Sequence, residues 1–153
     1  MTTTNPPIEF SELPQWVGKH LGFTEWQEMT QERVNMFADA TDDHQFIHVD
    51  VERAKATPFG GTIAHGYLTL SLMAPLMGEL LKVSGVTMGI NYGLDRVRFP
   101  APLPVGAQFR GGGEIVEVTE VPGGVQVKSK CTIEVQGSEK PACVAETLVR
   151  LYG

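Results

Sequence analysis

Cysteine, basic residues and uninterrupted apolar stretches are all scarce in this sequence, and each shortage closes off a class of protein. Cys131 and Cys143 are the only cysteines among 153 residues. They flank the turn-like Gln136-Gly137-Ser138-Glu139 at equal distances from Gly137, so a hairpin there would let them approach; in a cytoplasm they would stay reduced. Lys and Arg number 12 against 18 Asp and Glu, for a net charge of −6, and form no basic stripe. A chain with that balance is not built to neutralise phosphate backbones, so nucleic acid is not expected as a partner. The longest apolar stretch, from Ile63 to Lys82, is interrupted by His65, Thr69, Ser71, Glu79 and Lys82 and carries Pro75, which excludes a membrane-spanning helix. The N-terminus, with Pro6, Pro7, Glu9 and Glu12, has neither the basic start nor the apolar stretch of a secretory signal, so a cytoplasmic location is expected.

There is also no internal repeat, low-complexity tract or linker. The 42% of apolar residues suffices for one buried core, so residues 1–153 are expected to form a single domain, with 1–10 flexible. Gly22 to Met29 reads as a first strand with imperfect alternation. Thr30 suits a helix N-cap, followed by Val34, Phe37, Ala38 and Thr41 at helical spacing, and a second short helix is expected from Asp50 through Ala56. From Ala64 to Lys82 apolar residues occupy most of a helical circumference, which predicts a long buried helix wrapped by other elements. Strands are predicted at Met88–Phe99, Gln108–Val121, Gly124–Val135 and Ala142–Tyr152, separated by turns at Pro100–Gly106 and Pro122-Gly123-Gly124. A helix apolar on most sides followed by long antiparallel strands implies an α+β fold, a curved sheet around a central helix.

Ionisable groups are densest in Ala40-Thr41-Asp42-Asp43-His44-Gln45-Phe46-Ile47-His48-Val49-Asp50, placed between the two short helices. A carboxylate at 43 and an imidazole at 48 can grip one water from two sides, one taking a proton while the other orients or relays it. The bland alternative is that Asp42 or Asp43 caps a turn and His48 is a partly buried histidine with a backbone partner. A metal reading of Asp42, Asp43, His44, His48 and Asp50 is weaker, because no recognised ligand spacing appears. Farther on, Phe59-Gly60-Gly61-Thr62-Ile63-Ala64-His65-Gly66 places Gly66 at the opening of the central helix. Amides there suit a carbonyl oxygen that gains negative charge, or else Gly66 serves close packing alone.

Together, Asp43-His44-Gln45-Phe46-Ile47-His48 and Ile63-Ala64-His65-Gly66, with about eighteen positions between His48 and Gly66, resemble the hydratase-2 signature of the MaoC-like dehydratases. Ile90-Asn91-Tyr92-Gly93 and Val97-Arg98-Phe99-Pro100-Ala101-Pro102 extend the likeness over nearly the whole chain. The resemblance implies a single hotdog domain and an (R)-specific enoyl-CoA hydratase of fatty acid metabolism, adding water syn to a trans-2-enoyl-CoA to give the (R)-3-hydroxyacyl-CoA. It assigns the catalytic pair to Asp43 and His48, and the thioester carbonyl to the Gly66 N–H. Gln45 is placed beside the substrate. No metal or organic cofactor is implied, and the partner expected besides acyl-CoA is a second copy, as a homodimer. Gln45-Phe46 stands where the family usually has Asn-Pro, which lengthens a polar side chain and removes a rigid turn. His44 and His65 do not match the catalytic position and are read as a loop residue and a structural residue at the helix start. An acyl-CoA thioesterase of the same fold and a non-catalytic acyl-binding module are the competing readings. Lys55, Arg96, Arg98 and Lys128 are candidates to meet the CoA phosphates, or plain surface charges.

Overall fold

The computed structural model describes residues 3–153. The chain begins with a short strand, β1 (Ile8–Glu9), a 3-10 turn (Phe10–Trp16), and strands β2 (His20–Phe23) and β3 (Gln27–Glu28). Four short or medium helices follow: α1 (Gln31–Thr41), α2 (Phe46–Val49), α3 (Val51–Ala54) and α4 (Gly66–Ser71). Helix α5 (Met73–Leu80) leads through β4 (Val83–Ser84) into the long strands β5 (Met88–Arg98), β6 (Gln108–Val121), β7 (Gly124–Val135) and β8 (Cys143–Tyr152). The long strands form an antiparallel sheet in the order β2-β6-β7-β8-β5, with β3 also on β6. β1 and β4 make a small parallel pair.

The predicted strands are found where alternation placed them, β6 and β7 to the residue, because period-two patterning against one buried face fixes both register and limits. The other expectations need adjustment. The first strand splits in two around Thr24, whose hydroxyl and amide turn to the backbone of Gly111. The second helix stops at Ala54, where Thr57 returns its N–H and hydroxyl to the Ala54 carbonyl. Residues 3–10 are anchored instead of loose: Thr3 N–H donates to Phe23, and the Asn5 amide spans Leu21 and Leu80. Met1 and Thr2 lie outside the described residues. Cys131 faces Ala145 and Cys143 faces Ile133 across β7 and β8, so the cysteines are staggered instead of opposed. Both are free, and burial pushes their thiols up to about 11 and about 12.

The central helix is not one long rod. Pro75 lacks the N–H that would bond to Ser71, and the helix divides into α4 and α5 at Leu72. Only one side of it is buried: Leu68, Met73, Leu76 and Leu80 face the sheet, while Tyr67, Ala74, Gly78 and Glu79 face outward. The sheet receives it at Gly111-Gly112-Gly113 on β6. A Cβ at Gly111 would stand 2.8 Å from Leu76 Cβ, and one at Gly113 would stand 2.8 Å from Met77 Sδ. Bare backbone there lets α5 sit directly on the strand. Above it, Met29, Val34, Leu68, Phe109 and Ile133 close one half of the core; below it, Leu13, Leu21, Ile115 and Val127 close the other.

Candidate active site

Asp43 is delivered by the end of α1. Thr30 caps that helix by accepting the Arg33 N–H, as its position predicts, and Asp42 ends it in the left-handed region at φ 61°. The reversal aims the next residues toward the start of α4. Gln45 then opens α2, so that His48 rides on one turn of helix instead of in a loop.

His48 is buried, at 6% exposure, and held on three sides. Its Nδ1 lies 2.7 Å from the Ile63 carbonyl, which can only accept, so Nδ1 carries the hydrogen and Nε2 of the neutral ring keeps its lone pair. Its own carbonyl accepts from the Gln31 amide at 2.7 Å, and Gln31 in turn accepts from Thr62 at 2.6 Å. The backbone bond from Ile63 N–H to Ile47 closes this clamp between α2 and the segment leading into α4. The third contact is the His65 ring, stacked on His48 at 3.8 Å with 22° between planes. Burial pushes the His48 pKa below its ordinary value, opposed by the hydrogen bond to Ile63; His65 lowers it further and Asp43 raises it.

Asp43, His48 and His65 each place one ligand-type atom within 4.8 Å of the others, the one such trio among the described residues. The loop cluster considered for a metal is not what converges: His44 turns out to Asp39 at 2.9 Å and Asp50 caps α3. The trio itself suits proton chemistry better than coordination. Ligation needs both imidazole planes to contain the metal at about 2 Å, and nearly parallel rings 3.8 Å apart cannot share such a point.

Gly66 follows His65 as the first residue of α4. It lines a pocket of about 270 Å³ with Phe59, Ile63, Thr69, Phe99 and Leu103. A Cβ here would come 3.3 Å from the Phe99 ring, so the position has a packing reason to be glycine as well. Gln45 is exposed and its amide reaches Asp43 Oδ1 only at 3.5 Å, while Phe46 lies under the Arg53 guanidinium at 4.0 Å. Among the candidate phosphate contacts, Lys128 is taken by Asp95 and Glu146, and Lys55 by Glu52. Sequence reasoning missed Gln31, Thr62 and the place of His65. Polar residues on separate elements give no periodic signal; Thr62 and His65 lie within the glycine motif that spacing flags, whereas Gln31 has no such marker.

A curved antiparallel sheet over a central helix, with a carboxylate and an imidazole within 4.8 Å of each other, defines a hotdog-fold protein. The chain belongs to the MaoC-like dehydratase family, residues 12–136 matching the MaoC like domain. It is 52% identical over 141 residues, covering 92% of this chain and 93% of the relative, to the 3-hydroxyacyl-thioester dehydratase Z of Mycobacterium tuberculosis (strain ATCC 25618 / H37Rv). It is 43% identical over 151 residues to nodulation protein N of Rhizobium leguminosarum bv. viciae, covering 90% of this chain and 88% of the relative. The (R)-hydratase from A. caviae involved in PHA biosynthesis superposes with a TM-score of 0.71 at 27% identity, over 88% of this chain and 96% of that one.

Proposed function

We propose that this protein is an (R)-specific enoyl-CoA hydratase, catalysing the reversible syn hydration of trans-2-enoyl-CoA to (R)-3-hydroxyacyl-CoA without metal or organic cofactor. The carrying observation is that His48, tied by Nδ1 to Ile63, keeps the lone pair of Nε2 while an Asp43 carboxylate oxygen lies within 4.8 Å of its ring nitrogen. The water oxygen bonds to C3 while the Asp43/His48 pair takes one of its protons. The C2=C3 electrons pass toward C2 and the thioester oxygen, where the Gly66 N–H stabilises the developing charge. The pair then returns a proton to C2 from the same face, which makes the addition syn. The names of the relatives support this reading: a hydroxyacyl-thioester dehydratase runs the reverse reaction, and the A. caviae neighbour is an (R)-hydratase.

An apolar cleft of about 570 Å³ runs between α5 and strands β5, β7 and β8, lined by Met73, Met77, Val127, Val149 and Leu151, and suits an acyl chain. A smaller pocket sharing Met73, Ala74, Asn91 and Thr147 extends it back toward α4. The test is loss of enoyl absorbance with crotonyl-CoA and a longer trans-2-enoyl-CoA, with product chirality determined. Formation of the (R)-alcohol supports the hydratase; release of free CoA thiol makes the protein a thioesterase, and binding without turnover an acyl-binding module.

The pH profile gives a further check on His48. A proton acceptor works in its neutral form, and a lowered pKa means that protonation sets in only below the ordinary histidine value of about 6.5. Hydration kcat/KM should therefore fall at acid pH along a limb whose midpoint lies below that value. A limb centred above it would remove His48 from the role.

The proposed assembly is a homodimer formed along β5. This strand of 11 residues stands at the sheet edge, bonded on one side to β8, and exposes Met88, Ile90, Tyr92 and Leu94 by 43–56%. An unpaired apolar edge of that length calls for covering. We expect Ile90→Lys with Leu94→Lys to convert a dimer to a monomer in sedimentation velocity; a wild-type monomer at micromolar concentration would dismiss the dimer.

A further inference from the structure

His65 is almost completely buried, at 2% exposure, and its Nδ1 is the one buried side-chain nitrogen or oxygen without a hydrogen-bond partner among the described residues. Its Nε2 lies 2.9 Å from the main-chain carbonyl of Asp43, so Nε2 carries the hydrogen and donates it. One face of the ring stacks on His48 at 3.8 Å, and the Phe37 ring packs against it at 4.8 Å. Its own carbonyl accepts from the N–H and the hydroxyl of Thr69 in the first turn of α4.

For packing alone, a phenylalanine would fill this space without leaving a buried nitrogen unpaired, its hydration lost with no bond in return. What phenylalanine cannot do is hold the Asp43 carbonyl. That segment follows the left-handed Asp42; its neighbour His44 is tied to Asp39 at 2.9 Å, but on Asp43 itself the local contact, from Gln45 N–H, is long at 3.5 Å, and the bond from His65 is the short one. One imidazole thus grips the backbone of Asp43 and the ring of His48 while standing next to Gly66 in the chain.

We propose that His65 is the positioning residue of the site, fixing the Asp43 carboxylate against the His48 imidazole through its Nε2–H on the Asp43 carbonyl and its ring stacked on His48. The proposal rests on the reading that Asp43 and His48 carry the chemistry. A purely structural histidine would lose stability on replacement but leave the interaction between the other two unchanged.

The decisive experiment measures that interaction directly, by NMR titration of the His48 ring in the full-length wild type, Asp43→Asn, His65→Phe and the double variant. The Asp43 charge acts to raise the His48 midpoint, the smallest of the influences on it, so Asp43→Asn should lower it in an otherwise wild-type protein. In the His65→Phe background, which keeps an aromatic stack but drops the tether, the same substitution should move it by less than about a third as much. Taking the difference within each background removes the direct influence of His65 on His48. Equal shifts in both backgrounds would overturn the proposal. If His65→Phe does not fold, His65→Met carries the same comparison. In turnover, His65→Phe should lower kcat by roughly 30-fold or more with KM within about threefold, because a misplacement near 1 Å costs that order of rate. His65→Gln, which can again donate to the Asp43 carbonyl, should recover part of the loss; no recovery would count against the tether. Should the wild type hydrate no enoyl thioester, the functional reading fails while the NMR coupling still decides the role of His65.

Discussion

Asp43→Asn and His48→Gln should each lower hydration of a trans-2-enoyl-CoA by about 10²–10⁴-fold in kcat, the range for loss of a positioned acid–base group. Asparagine preserves the shape of aspartate while removing its capacity to take a proton. Glutamine can still donate to the Ile63 carbonyl in place of Nδ1–H, yet it brings no basic nitrogen. The double variant should be little worse than either single one, since groups that act as a unit are grossly non-additive. Thermal unfolding should change little for Asp43→Asn, whose carboxylate accepts a long contact, at 3.5 Å, from the Gln45 N–H. Near-wild-type turnover in either variant, read from enoyl absorbance, would move the chemistry elsewhere.

Gly111→Val should damage the fold by forcing α5 away from β6. Strand propensity alone would favour valine, by roughly 0.5–1 kcal/mol over glycine. Against that, the new Cβ would lie 2.8 Å from Leu76 Cβ and 3.0 Å from its Cδ1. The Leu76 Cβ is fixed to the backbone of α5 and cannot step aside, so the helix must lift from the sheet. Overpacking of this kind costs about 3 kcal/mol. At about 2–4 °C per kcal/mol for a domain of this size, the melting temperature should fall by roughly 6–12 °C. Gly113→Ala is the internal control: its closest contact is the flexible end of Met77 at 2.8 Å, which can swing away, with the Lys130 carbonyl at 3.2 Å, and it should cost less. Equal melting temperatures for wild type and Gly111→Val would show that α5 does not press on β6 as described.

Much of the architecture was legible because it follows from local patterns. Alternation in Gln108–Val121 and Gly124–Val135 set the limits of β6 and β7, since a one-residue slip would turn every apolar side chain to water. Thr30 marked the start of α1 by its chemistry. The apolar run marks the central helix, and Pro75 marks a place for it to bend or end, while the break at Leu72 and the one-sided burial depend on which face meets the sheet. Spacing suggests the pairing of Asp43 with His48, yet the same spacing also allows a turn cap and a partly buried histidine with a backbone partner.

The sequence by itself determined the fold class, the order of elements and the two motifs that carry the family resemblance, because hydrophobic period and turn chemistry act over a few neighbouring residues. Tertiary structure alone decided which lone pair of His48 is free, since Nδ1 is claimed by Ile63, a residue 15 positions away. It alone brought Gln31, Thr62 and His65 to the site. Their hydrogen bonds join α1, α2 and the start of α4 across 17 to 31 residues, and contacts at that separation exist only once the chain has closed around its core.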